Sequence, residues 1–230
     1  MADFKKLEKK IGVDFKDQDL LRQALVHRSY LNEHPQFRLD NNERLEFLGD
    51  AVLEIIVTEH LFFNFPEKKE GELTNFRASL VNTKMLASVA EELELEKFLY
   101  LSKGESQDSN TKARKSILAN AVEAIVGAIY LDKGKEKAKE FIEVKFLNKF
   151  DYILKNELYL DPKSKFQEKA QEIEGVTPHY KVIKETGPDH DKVFQVGLYL
   201  GEELISTGEG SSKQEAQVEA AQEGIKNKDW

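Results

Sequence analysis

The stretch Ile117–Leu131, ILANAVEAIVGAIYL, is about four helical turns long and apolar on almost every side. Two polar groups interrupt it, Asn120 and Glu123, which at the helical repeat stand about 60° apart on one face. A carboxylate in an otherwise buried helix is costly unless something compensates its charge, so this segment calls for a partner. A second run, Asn42–Ile56, NERLEFLGDAVLEII, supplies the same anomaly. Its Glu43, Glu46, Asp50 and Glu54 fall within about 80° of arc, while Leu45, Leu48, Val52, Ile55 and Ile56 take the opposite side. With the two stripes facing, three or more carboxylates converge without a lysine or arginine of their own. That donor set suits a hard divalent cation such as Mg²⁺. Glu46, Asp50 and Glu123 are its candidates. Glu54, furthest along its helix, reads as a solvated edge, and Glu43 also fits the N3 position of a capping box with Asp40 as N-cap.

Composition bounds what such a site can do. At 230 residues and 40% hydrophobic, the chain can build one sizeable domain and a smaller one. It has no cysteine, which excludes disulfides, thiolate metal sites and cysteine nucleophiles. The N-terminus, MADFKKLEKK, lacks the apolar core of a secretory signal, and no apolar stretch reaches membrane-spanning length, so a cytoplasmic protein with no membrane partner is expected. A net charge of −8 argues against indiscriminate nucleic-acid binding, and any such partner must be held by local geometry.

Periodicity divides the chain near Leu160-Asp161-Pro162. Before it the pattern is helical over Leu20–Leu31, Glu43–Phe63, Leu73–Leu93, Ser116–Leu131 and Glu136–Leu154. After it come a helix (Ser164–Glu174), three strand-like runs (His179–Lys184, Val193–Leu200, Glu203–Thr207) and a last helix from Lys213, with Gly201-Glu202 suited to a tight hairpin turn. The expected fold is α+β overall: an all-α N-terminal domain over 1–154, a linker over 155–160, and a small αβββα domain over 161–228.

These segments carry a resemblance. NERLEFLGDAVL, then EGELTNFRASLVN and SILANAVEAIVGAIYLDKG, resemble the endonuclease domain of bacterial ribonuclease III. DPKSKFQEKAQ, TGPDHDKVF and GEGSSKQEA resemble that family's double-stranded-RNA-binding domain, so the likeness spans about Leu20 to Ile225. It implies that Glu46, Asp50 and Glu123 are metal-site carboxylates, Asp50 and Glu123 being catalytic, with Asn120 a fourth metal ligand where the family usually has Asp. It makes Glu43 and Glu70 cleft acids and Phe47 a subunit-packing residue, for which an ordinary core aromatic is the alternative. It implies Mg²⁺, with Mn²⁺ as a possible substitute. It further implies a homodimer whose two sites each cut one strand of an RNA duplex, leaving 5′-phosphate and 3′-hydroxyl ends with short 3′ overhangs.

Phosphodiester hydrolysis explains why such residues are needed. Water must become nucleophilic near neutral pH, the phosphoryl oxygens gain charge, and the 3′ oxygen leaves as an alkoxide; a metal held by carboxylates addresses all three. Five scattered histidines supply no competing nucleophile, and His27 reads as a structural hydrogen-bonding residue. Arg77 and Lys84 read as a solvated helix face, with a phosphate contact as the alternative. Lys112, Arg114 and Lys115 read as a basic loop or a phosphate contact.

In the C-terminal domain Phe166, Ala170 and Ile173 share one helix face, while Ser164, Gln167, Glu168 and Gln171 are displayed opposite. Short and amide side chains of that kind can meet 2′-hydroxyls and base edges in the wide minor groove of A-form RNA. Ser212 and Glu215 are spaced as a capping box, and Lys213 lies in the first turn, where free N–H groups and the helix dipole favour a phosphate. Pro188 and His190 match the family's second minor-groove contact. Two departures stand out. Lys213 is followed by Gln214 where the family commonly has a second lysine, and residues 161–230 hold nine lysines, no arginine and fourteen acids, a net charge of −5. Asn120 leaves a second reading open, a duplex-RNA-binding protein with weak or lost cleavage.

Overall fold

The computed structural model describes residues 4–107, 112–188 and 192–230. The chain forms two compact units, Met1–Tyr159 and Leu160–Trp230. The first is helical. In chain order it contains α1 (Phe4–Ile11), α2 (Gln18–Gln23), α3 (Arg28–Glu33), α4 (Glu43–Asn64), α5 (Glu70–Leu80), α6 (Thr83–Glu92), α7 (Lys103–Gln107), α8 (Lys112–Lys133), α9 (Lys135–Lys145) and α10 (Phe150–Lys155).

The apolar run that opened the sequence reading is the centre of this unit. Leu118, Ala121, Val122, Ile125, Val126 and Ile129 of α8 are buried, and α8 packs on α4 more extensively than any other pair of elements in the molecule. From α4 come Leu45, Val52, Leu53, Ile56, Val57 and Leu61, all buried in the same core. Each such aliphatic side chain contributes about 1.5–3 kcal/mol on leaving water. The two helices therefore hold position against solvent, and their polar stripes are carried along.

Three expected helices are each divided. Leu20–Leu31 becomes α2 and α3, because the helix closes in a turn at Ala24 and Leu25, which are fully buried along with Val26, and Val26 is bridged to Tyr100. His27 then N-caps α3, accepting from the Ser29 amide at 3.3 Å. Leu73–Leu93 becomes α5 and α6, separated where Asn82 caps α6 through the Met85 amide at 2.9 Å. Glu136–Leu154 becomes α9, a 3-10 turn over Leu147–Lys149, and α10. α1 has no counterpart in the sequence reading. It buries Leu7 and Ile11, and its Lys10 bonds Glu94, a residue in the left-handed region at φ 55°. Asp40 is not the N-cap of α4: Asn42 holds that position, and the Glu43 amide is satisfied by the Asn41 side chain at 3.2 Å.

The second unit consists of α11 (Pro162–Ile173), β1 (His179–Thr186), β2 (Val193–Leu200), β3 (Glu203–Gly210) and α12 (Lys213–Lys228), with the antiparallel strands in the order β1-β2-β3. Asp161 caps α11 through the Lys163 and Ser164 amides, both at 3.1 Å. The two-residue turn Gly201-Glu202 joins Leu200 to Glu203, with Gly201 at φ 57°, where glycine carries no steric cost. Phe166, Ala170, Leu198, Leu200, Ala220 and Ala221 form the core. Ile173 does not join them. It is the last residue of α11 and is 57% exposed, beyond the cover of the sheet.

Candidate active site

The two central helices touch at backbone distance. A Cβ added at Gly49 would stand 1.7 Å from the Glu123 carbonyl oxygen, and one at Gly127 would stand 2.3 Å from the Leu45 carbonyl oxygen. Glycine in a helix interior costs about 0.5–1 kcal/mol relative to alanine, so these two residues offset that cost by letting α4 and α8 close. The crossing lies directly beside Glu46, Asp50 and Glu123. Sequence reasoning passed over both glycines, although a glycine inside an apolar helical run is a signal of close backbone approach.

Electrostatics shows that the three carboxylates share one neighbourhood. Glu123 is pushed up to about 7, first by burial and then by the negative charges of Asp50 and Glu46. Glu46 is also raised, by burial and by Glu43 and Asp50, while the Asn120 side chain hydrogen-bonds it and pulls the other way. Asn120 is thus engaged with the stripe and not turned away from it. An amide can donate to Glu46, which an ionised Asp there could not do.

The donor chemistry fits a hard cation: oxygen ligands, excess negative charge and no lysine or arginine among them. Among the described residues no three His, Asp or Glu side chains are gathered closely enough to enclose a metal ion unaided. Water or substrate oxygens would have to complete any coordination shell here, as Mg²⁺ commonly requires.

The remaining predicted residues lie around this centre in different ways. Glu43 is exposed, 3.7 Å from the Arg28 guanidinium, and accepts from the Asn41 side-chain Nδ2 at 3.3 Å. Glu70, exposed at the start of α5, accepts from Thr74 at 3.1 Å and lines a cavity of about 440 Å³ with Leu61, Phe62, Leu73 and Arg77; no described contact within one chain joins it to the stripe. Glu54 is exposed, in keeping with a solvated edge. Phe47 is 81% exposed, so it is no core aromatic. With Ile55, Phe62 and Phe63 of α4 and Leu131 of α8 it belongs to a set of uncovered apolar side chains.

His27 is structural, its Nδ1 2.8 Å from the Ser29 hydroxyl and its pKa lowered chiefly by burial. Arg77 donates to Thr58 at 3.1 Å. Lys112, Arg114 and Lys115 do not form a loop. They make the first turn of α8, and Arg114 is buried, donating to the Glu105 carbonyl at 2.8 Å and pairing with Glu96 at 3.3 Å.

In the second unit Ser164, Gln167, Glu168 and Gln171 are exposed on α11, and Pro188 is exposed just past the end of β1. His190 falls outside the described residues. Ser212 caps α12 through the Glu215 amide at 3.2 Å, and the Glu215 carboxylate reaches back to the Ser211 amide at 3.2 Å, one residue earlier than a capping box requires. Lys213 is exposed at that helix start.

Comparison with known proteins agrees with this architecture. A family model described as ribonuclease-III-like matches residues 17–150, and one for the double-stranded RNA binding motif matches residues 162–228. The chain is 45% identical over 227 residues to a protein named Ribonuclease 3 from a Nitratiruptor species, covering 98% of this chain and 97% of the relative. It is 46% identical over 216 residues to Ribonuclease 3 of Borreliella afzelii, covering 94% and 87%. A solved structure of the ribonuclease III nuclease domain from Campylobacter jejuni, described by its region involved in dimer formation, covers 63% of this chain and 99% of its own, with 42% identity and a TM-score of 0.54. A helical unit built on the α4–α8 crossing, followed by an RNA-binding-motif unit and matched over nearly its whole length, means that the chain belongs to the ribonuclease III family.

Proposed function

We propose that Glu46, Asp50 and Glu123, with the Asn120 side-chain carbonyl, hold the metal of a double-strand-specific endoribonuclease, and that Asp50 and Glu123 act directly in hydrolysis. The carrying observation is the raised Glu123 carboxyl, half-buried beside the negative charges of Asp50 and Glu46 at a helix crossing where no cation among the described residues offsets them. Enzymes of this family are metal-dependent, and the oxygen donors favour Mg²⁺, with Mn²⁺ as a substitute. When bound, such an ion lowers the pKa of a water and stabilises charge on the phosphoryl and leaving oxygens. The chain's own residues do the positioning. Glu123 is half-buried on α8, and Asn120 steadies Glu46 by donating to it. Because the amide lacks charge, it holds metal less firmly than an aspartate would.

Glu43 and Glu70 serve as further acids of the cleft, and the uncovered apolar residues around Phe47 serve as the contact between two copies. Duplex RNA is held by Ser164, Gln167, Glu168 and Gln171 in one minor groove, by Pro188 and His190 in the next, and by Ser212 and Lys213 at phosphate. The products carry 5′-phosphate and 3′-hydroxyl ends with short 3′ overhangs. The test is cleavage of a long RNA duplex across a Mg²⁺ titration, the protein beside its Asn120→Asp variant. Cutting by both, with the variant needing less Mg²⁺, is expected. Binding by both with cutting by the variant alone would replace the enzyme reading with that of a duplex-RNA binder.

A further inference from the structure

Lys213 is not held by its own helix. Its ammonium lies 3.3 Å from a carboxylate oxygen of Glu185 on β1 and 5.5 Å from the centre of the Phe194 ring on β2. Glu185 and Phe194 are directly opposed in the β1–β2 ladder, so one rung of the hairpin forms both contacts. Phe194 alone can orient the lysine, since an ammonium over a ring face is attracted without being neutralised. Glu185 adds a negative charge beside a group meant for phosphate, in a unit whose net charge is already −5 and which has no arginine.

We infer that Glu185 is an affinity-setting residue of this RNA-binding unit: it occupies Lys213 in the free protein and competes with the RNA phosphate for it. The inference rests on the assignment of Lys213 as a phosphate contact. An exposed pair of this kind, 57% and 40% accessible, is weak enough for a polyanion to displace. Its loss should nevertheless be measurable, because counterion release makes every available cation count in RNA affinity.

The experiment is binding of the full chain, in EDTA to prevent cleavage, to a fully paired RNA of about 16 base pairs, the span of one such unit. Glu185→Gln is expected to tighten binding about two- to fivefold at low salt and to steepen the salt dependence. Glu174→Gln is the control for net charge, because Glu174 pairs with Lys228 at the far end of α12 at 2.8 Å. Equal tightening by both variants would reduce the effect to net charge and overturn the inference. Weaker binding by Glu185→Gln would also overturn it, making the carboxylate a positioning group. In a Lys213→Ala background the Glu185→Gln effect should vanish. If Lys213→Ala alone leaves affinity unchanged, the assignment of Lys213 to phosphate falls. If it weakens binding while Glu185→Gln changes nothing, the assignment stands and the inference falls.

Discussion

At the residue scale the decisive group is Glu123. Its carboxyl is raised from 4.5 to about 7, so between those values the folded protein holds a proton that the unfolded chain releases. The contribution of this group to stability therefore decreases as pH rises from 4.5 through about 7. Two outcomes are expected. In metal-free buffer at alkaline pH, Glu123→Gln should melt at a higher temperature than the parent chain, and the difference should shrink as pH falls toward the ordinary carboxylate range. Mg²⁺ should raise the melting temperature of the parent and leave that of the variant nearly unchanged, while cleavage by the variant drops by at least about two orders of magnitude, as for loss of a directly acting carboxylate. A variant that cuts normally would remove Glu123 from the chemistry. The carboxylates were legible in the sequence because a charge in a buried helix violates its surroundings. The pairing of Glu43 with Arg28 and of Glu185 with Lys213 was not, because in each case the partners are brought together by tertiary packing.

At the scale of elements, the α4–α8 crossing fixes the site. Gly49→Ala and Gly127→Ala each place a methyl group against backbone of the facing helix, and overpacking of this kind costs about 1–3 kcal/mol. Gly71 is also within a helix, yet a Cβ there meets nothing within 4 Å. Gly71→Ala should be neutral or stabilising by up to about 1 kcal/mol, the helix-propensity gain. Denaturant unfolding of the three variants checks the ranking, and equal effects would mean that the crossing is loose. The three glycines look alike in one dimension, and only the approach of the opposite helix separates them. The divided helices carry the same lesson. Ala24-Leu25-Val26 reads as helical by periodicity, but the helix ends there in a buried turn and Val26 bridges Tyr100, distant in sequence.

At the scale of the whole molecule, two predictions concern assembly and the division of labour. Sedimentation of the chain without RNA should show a dimer at micromolar concentration, and Phe47→Asp should shift it to monomer by placing a charge in the apolar contact. Dimer retained in the variant would put the contact elsewhere. Removing residues 161–230 should leave a folded nuclease unit, because the helical unit has its own core. Such a truncated chain should cut duplex RNA at low salt and lose most activity at physiological salt. A salt profile matching that of the full chain would contradict the RNA-holding role of the second unit.

The two-part organisation, the strands and last helix of the second unit, and the acidic stripes of α4 and α8 are legible in the amino-acid pattern alone. These are written in local periodicity, and a carboxylate on an apolar face stands out without reference to any neighbour. Which helices break, that α1 forms against the core, and that Phe47 lies outside it follow from packing between distant segments. Only the structure brought Gly49 against Glu123, Asn120 to Glu46 and Glu185 to Lys213. Each of these depends on residues far apart in the chain, whose distance is set by core packing and leaves no trace in the pattern of a single segment.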